Sequence, residues 1–328
     1  MIQVLLIGLG SGAVSALLFA SLASGKTLAV LLFYLTPLPI FLAGIAWSHV
    51  AGLIAALIAA AALGLTLGSW FVVAFLISIG FPSYVLSYLA LLARPTTNGG
   101  GERLEWFPPG RLVIAAALLA AFATTLSVPA FGWDLETYRA TLKATFERVL
   151  RANSDIPPNA PLKLPGLADT EALLDNLVVA MPLAAAALAM ITNLANLWLA
   201  GRIANAGRRL KRPWPDIASL TFPQMTPVAL FVVIGLSFLP NLIGLVASIF
   251  AATLIFAYTI LGLCILHAST RTLAMRAPML AGVWALVLIF IWPSLVLAIL
   301  GLADSFVDFR GRAARRGPPN LPTNPRNE

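Results

Sequence analysis

The sequence predicts an all-α protein, a polytopic transmembrane bundle of eight or nine spans, and three observations carry that prediction. Hydrophobic residues fill 60% of the 328 positions and mean hydropathy is +0.92. Charged residues make up 10%, where soluble domains carry about 25%. Apolar runs of about 20 residues, the length that crosses the hydrocarbon core, recur along the chain, and all thirteen acidic residues fall outside them, as the cost of charge in lipid requires.

The first run, VLLIGLGSGAVSALLFA from Val4 to Ala20, spells G-x-G-x-x-A at Gly8, Gly10 and Ala13. A dinucleotide-binding turn of that pattern needs a carboxylate about 20 residues on to hold the ribose. Residues 1–101 contain no Asp or Glu, and only Lys26 and Arg94 among the strong cations, so the nucleotide reading fails. The outline of a signal peptide ending at Ser21-Leu22-Ala23 is the less favoured reading of the same stretch. No Lys or Arg precedes the run and the next apolar run begins at once. Read as a helix, the stretch places Gly8, Gly12, Ala16 and Ala20 on one stripe, a face that lets a second helix approach backbone to backbone. Whether that helix is internal or belongs to another protein is left open by the sequence.

The runs that follow are Leu28–Ala46, Val50–Leu67, Trp70–Ala93, Leu112–Phe131, Leu177–Ala200, Thr226–Leu239, Leu242–His267 and Met279–Ala303. They make residues 1–303 one transmembrane domain and leave 304–328 as a basic, disordered tail rich in Arg, Pro and Asn. Loop 201–223 carries Arg202, Arg208, Arg209, Lys211 and Arg212 against Asp216 alone, whereas 132–176 holds five cations and seven acids. Excess Lys and Arg marks the cytoplasmic side, which puts 201–223, 94–110 and the N-terminus inside and 132–176 outside. The tail arginines Arg310, Arg312, Arg315 and Arg316 also belong inside, yet three crossings after 201–223 would leave them outside. One of the last three runs therefore enters and returns. Thr226–Leu239 is the shortest, between Pro227 and Pro240, and Met279–Ala303 holds Pro293 near its middle. Eight crossings with an inside C-terminus are favoured over nine.

In the outer segment, WDLETYRATLKATFERVL sets Leu135, Tyr138, Leu142, Phe146 and Val149 on one face behind Asp134 as N-cap. This is one amphipathic helix, expected to lie along the membrane surface. The proline-rich NSDIPPNAPLKLPG after it predicts no regular structure.

Several chemistries are excluded. His49 and His267 stand near span ends and no acid lies at depth, so a proton relay has no members. Two histidines and the lone Cys264 do not close a metal site. No serine has the nucleophile-elbow context and no P-loop is present. The net charge of +8 sits where the positive-inside rule puts it, which is topology with some contact to anionic lipid and no sign of nucleic acid. The chain reads as a non-enzyme without cofactor or metal, whose first partner is the lipid bilayer.

What remains at depth is uncharged and polar. Thr192, Asn193 and Asn196 share the sixth run; Tyr34, Thr36, Pro37 and Pro39 interrupt the second; Gly80, Pro82, Ser83, Tyr84, Ser87 and Tyr88 interrupt the fourth. Asn241 follows Pro240. Convergent amides and hydroxyls suit a neutral or zwitterionic small molecule, with Asn193, Asn196, Tyr84, Tyr88 and Asn241 as candidate ligand-binding residues. Helix-to-helix hydrogen bonds are the structural alternative for each.

The span layout, the segment KRPWPDIASLTFPQMTP and the close LGLADSFVDFRGR resemble the YybS-like family of bacterial membrane proteins of unknown function. That family is similar in hydrophobic layout to the substrate-binding S subunits of energy-coupling factor transporters. The resemblance implies a bacterial cytoplasmic (inner) membrane location. It also implies a small-molecule-binding transport subunit served by a separate membrane coupling subunit and ATPase module, docked through the stripe Gly8/Gly12/Ala16/Ala20. The competing class is a non-transporting envelope scaffold or assembly factor, in which polar residues only pack helices.

Overall fold

The computed structural model describes residues 1–97, 102–153, 162, 169–216, 220–271 and 273–307. Helices dominate, as expected. They are α1 (Ile2–Ala20), α2 (Thr27–Tyr34), α3 (Pro37–Ala46), α4 (His49–Leu67), α5 (Ser69–Phe75), α6 (Phe81–Leu91), α7 (Pro109–Ser127), α8 (Leu135–Asn153), α9 (Thr170–Ala206), α10 (Thr226–Leu236), α11 (Leu242–Ser269), α12 (Arg276–Ile289) and α13 (Trp292–Val307). A short hairpin, β1 (Ala93–Thr97) with β2 (Glu102–Trp106), joins α6 to α7. The chain divides into two compact units, Met1–Pro215 with Leu230–Leu254, and Asp216–Ala229 with Ile255 onward.

Seven helical stretches among the described residues are long and apolar enough to cross a membrane: Ile2–Ser24, Thr27–Ala46, His49–Leu67, Ser69–Leu91, Pro109–Ala130, Thr170–Ala206 and Leu242–Ser269. The pair α12 and α13, bent by 119°, makes an eighth if taken as one span. Nine runs of the sequence thus become seven or eight. The run Thr226–Leu239 falls short because its helix stops at Leu236, where Ser237 to Asn241 turn the chain into α11.

In the first unit, α1 lies on α4 through small residues. A Cβ added at Gly8 would stand 2.6 Å from Ile54 Cγ2, and one at Gly12 2.6 Å from the Ala55 carbonyl oxygen. Ala16 is buried in the same core with Ala51, Ala55, Ala59 and Leu63, and Ala20 packs at its margin. α3 meets α4 just as closely: a Cβ at Gly52 would be 3.1 Å from Gly44 Cα. Alanine and glycine let backbones approach where lipid tails give no hydrophobic drive, so dispersion contacts hold the helices. Between α4 and α5 the chain reverses at Gly68, whose φ of 112° few side-chain-bearing residues adopt. A π-turn over Leu76–Gly80 precedes Pro82 and takes up the strain a mid-span proline imposes.

A second core of this unit joins Ala121 and Val128 with Tyr138 and Leu142 of α8, Val178 and Ala186 of α9, and Ile249 of α11. Here an expectation is corrected. The apolar face of α8 was expected to rest on lipid; Tyr138 and Leu142 instead bury against the chain's own helices. Lys143 secures that packing through Asp175 at 2.6 Å and Glu171 at 3.3 Å on α9. Its pKa is pushed above the ordinary value, chiefly by the Asp175 hydrogen bond. Asp134 caps α8 as expected, accepting from the Thr137 amide at 2.8 Å.

In the second unit α13 crosses α11 at glycines. A Cβ at Gly262 would strike the Leu297 carbonyl and one at Gly301 the Tyr258 carbonyl, while Thr259 Oγ1 donates to the Ser294 carbonyl at 2.9 Å. Arg271, just past α11, pairs with Asp216 at 3.1 Å. α13 continues helical through Val307, past the expected start of the tail at 304; residues 308–328, like most of the 153–166 loop, lie outside the described residues.

Candidate functional site

The second span is broken where the sequence places two prolines. Pro37 has no N–H to give, and the amides on either side tighten: Leu35 donates to Leu32, Thr36 to Phe33 and Leu38 to Leu35. A straight helix would aim the Leu38 amide at the Tyr34 carbonyl, so the break frees that oxygen. Asn196 of α9 takes its place, donating from Nδ2 to Tyr34 O at 2.8 Å and to Thr192 O at 2.8 Å. From α1, Ser15 Oγ donates to the Thr36 carbonyl at 2.8 Å. Freed carbonyls at membrane depth need such partners.

The repair leaves oxygens over. Thr36 Oγ1, Asn193 Oδ1 and Asn196 Oδ1 are buried with no hydrogen-bond partner among the described residues, as is Ser83 Oγ on α6. Thr36 and Ser83 are fully enclosed. α6 packs on α3 beside this region, with Ser87 against Gly44, and α9 turns Asn193 and Asn196 inward along with Met190 and Ala200. Most buried polar groups in native proteins are hydrogen-bonded, and each unpaired one costs about 1–3 kcal/mol. Three helices therefore present uncompensated acceptors and hydroxyls to the interior of one bundle.

The other candidates stand elsewhere. Tyr84 and Tyr88 stack with ring centroids 6.5 Å apart, and Tyr88 meets the His49 ring edge-on at 5.4 Å. Asn241 is exposed and caps α11, its Oδ1 accepting from the Gly244 amide at 3.1 Å. It lines a cavity of about 210 Å³ beside Tyr138 and Arg139 of α8, away from Asn193 and Asn196. The stripe Gly8, Gly12, Ala16 and Ala20 is filled by α4 of the same chain. Among the described residues no group of three or more His, Cys, Asp or Glu could hold a metal ion.

Sequence reasoning missed what the basic loop does. Arg212 donates from Nη1 to the Ala90 carbonyl at 3.0 Å and from Nη2 to the Phe107 carbonyl at 3.3 Å. Burial lowers its pKa from the ordinary value. Arg209 lies over the Trp47 ring at 4.7 Å, and Arg202 over Trp214 at 5.5 Å. These cations strap the loop to the ends of α3, α6 and α9. A loop arginine that bonds carbonyls a hundred residues away has no local signature. The hairpin did have a cue in the sequence, the Asn/Gly cluster of TTNGGGERLEW.

No curated protein and no solved structure matches the chain. A family described as "Predicted membrane protein (DUF2232)" matches residues 13–305, nearly the whole helical part of the chain. The protein is an integral membrane protein of that family, to which it belongs over these residues.

Proposed function

We propose that the chain is a non-enzymatic, membrane-embedded binding subunit for a small uncharged or zwitterionic molecule, serving a transport system whose energy comes from a separate ATPase module. The observation that carries this reading is a set of buried oxygens without hydrogen-bond partners among the described residues, Thr36 Oγ1 at the broken second span, Asn193 Oδ1 and Asn196 Oδ1 on α9 and Ser83 Oγ on α6, with Asn196 reaching the break itself. Broken helices at membrane depth are where transporters build substrate sites, and neutral acceptors with hydroxyls suit a ligand without net charge. Tyr84, Tyr88 and Asn241 are secondary candidates. The stripe of α1 is occupied by α4 of the same chain, so a coupling subunit would dock elsewhere.

The orientation proposed is the one that cation placement favours: N-terminus and basic loop in the cytoplasm of a bacterial cell, α8 outside. In this arrangement the α10–α11 hairpin crosses twice, the eleven helical residues of α10, short for a span, being extended by the non-helical residues on either side. α12 and α13, bent by 119°, then enter and turn back, which gives eight crossings and an inside C-terminus.

Native mass spectrometry of the purified full-length protein tests the binding reading. A retained molecule lost in Asn193→Ala and Thr36→Val supports it. A protein that carries nothing and is unshifted in melting by a panel of neutral metabolites favours the second reading, a scaffold whose polar groups serve packing. Asn196 and Asn241, which hydrogen-bond the chain's own backbone, speak for that alternative.

A further inference from the structure

A second cavity, about 390 Å³, opens between the β1–β2 hairpin and the first turn of α7. It lies at the end of the bundle where Arg212 reaches Ala90 and Phe107. Leu92, Trp106, Phe107 and Pro108 give it apolar walls, and Arg94 and Arg111 line it as well. Glu105, the one carboxylate among its described lining residues, is already engaged: Nε and Nη2 of Arg94 both reach its Oε2 at 2.7 Å. That contact, open to solvent, takes up the carboxylate. Arg111 has no ion-pair partner among the described residues. It also stands in the first turn of α7, which has no acidic residue and no side-chain cap, so its charge adds to the positive end of the helix dipole. An anion placed there would relieve both.

The position of the cavity narrows the kind of anion. The hairpin follows α6 at Leu91 and leads into α7 at Pro109, so the cavity is only a few residues from two apolar spans. That is headgroup depth, where tryptophans such as Trp106 concentrate. A cationic rim over apolar walls matches an amphiphile with an anionic head. This end of the bundle also carries the basic loop, which faces the cytoplasmic leaflet in the orientation proposed above, the leaflet whose anionic lipids attract basic segments. We infer that this cavity holds the head of an anionic phospholipid. Its phosphate lies between Arg111 and Arg94, and its glycerol and first acyl carbons lie against Leu92, Trp106 and Phe107.

The test uses the full-length chain in detergent, with phosphatidylglycerol or phosphatidylcholine added in equal amounts and retention read by native mass spectrometry. One phosphatidylglycerol per chain should survive activation that strips phosphatidylcholine. Arg111→Ala should lower its occupancy about fivefold, the scale of one surface cation on an anionic lipid. Arg94→Ala combined with Arg111→Ala should lower it further, while Arg148→Ala on the exposed side of α8 should change nothing. Equal retention of the two lipids, or unchanged retention in the double variant, overturns the proposal. So does full displacement by excess inorganic phosphate, which would assign the cavity to a soluble phosphate compound. If the double variant does not fold, the lipid comparison on the wild type and on Arg111→Lys still decides. The readout is blind to sidedness, so a reversed orientation would leave the binding result intact and is distinguished from failure of the site.

Discussion

The side-chain amide of Asn196 and the backbone carbonyl of Tyr34, 162 residues apart in sequence, meet at 2.8 Å where the second span breaks. A long-range hydrogen bond thus does the work that Leu38, redirected to Leu35 by the prolines, would do in a straight helix. Replacing Asn196 with Ala removes the donor of this part-buried hydrogen bond, at a cost of about 0.5–1.5 kcal/mol. The expected result is a lower melting temperature in detergent and faster amide exchange at residues 34–38. A variant as stable as the wild type would mean that the break needs no partner.

Close approach of α1 to α4 depends on hydrogen-only positions. Gly12→Leu forces a side chain into the Ala55 carbonyl and Ile58, whereas Gly10 has nothing within 4 Å of an added Cβ. Gly12→Leu is expected to accumulate poorly, by overpacking of about 1–3 kcal/mol or more, and Gly10→Ala to accumulate normally. Equal accumulation of the two would show that α1 does not pack on α4 as described.

Asp134 confers a pH dependence on α8. The Thr137 backbone amide is the chief cause holding its pKa below the ordinary 3.8. A depressed folded-state value means that the stabilisation is present above the unfolded value and is lost as pH falls through the folded one. Amide exchange over Leu135–Tyr138 should therefore accelerate as pH falls below about 3.8, relative to a helix without such a cap. Asp134→Ala should exchange faster already at neutral pH and lose that acid step.

A reporter fused after Arg316 is expected to be active only in its cytoplasmic form, on the side of a reporter placed at Lys211. Activity outside the cytoplasm would make α12 and α13 a single crossing and remove the eight-crossing arrangement.

The early spans were legible because each consists of about 20 mostly apolar residues, a length set by bilayer thickness. The break at Tyr34–Pro37 was legible in Pro37 and Pro39, and the inward face of Asn193 and Asn196 in the cost of amides in lipid. Which carbonyl Asn196 would meet was not, because nothing near residue 196 encodes a contact with residue 34. The resting place of α8 was misread for a related reason. An amphipathic stripe specifies that an apolar surface must cover it, and lipid and the helices carrying Val128, Val178 and Ile249 satisfy that demand equally. Asn241 shows the same limit, since its N-cap role follows only once α11 is seen to begin at Leu242.

The shortness of α10 has a consequence for the lipid around it. Eleven helical residues rise about 16 Å, roughly half of a hydrocarbon core of about 30 Å, and Val228, Phe231, Val232 and Leu236 face outward from it. A crossing at this point asks the bilayer to thin, or asks non-helical backbone at 220–225 and 237–241 to extend into it, at a cost of fractions of a kcal/mol per ångström of mismatch. Acyl-chain length thereby becomes a variable of the protein itself. With α10 crossing as proposed, short-chain lipids would relax the α10–α11 hairpin and long-chain lipids would load it.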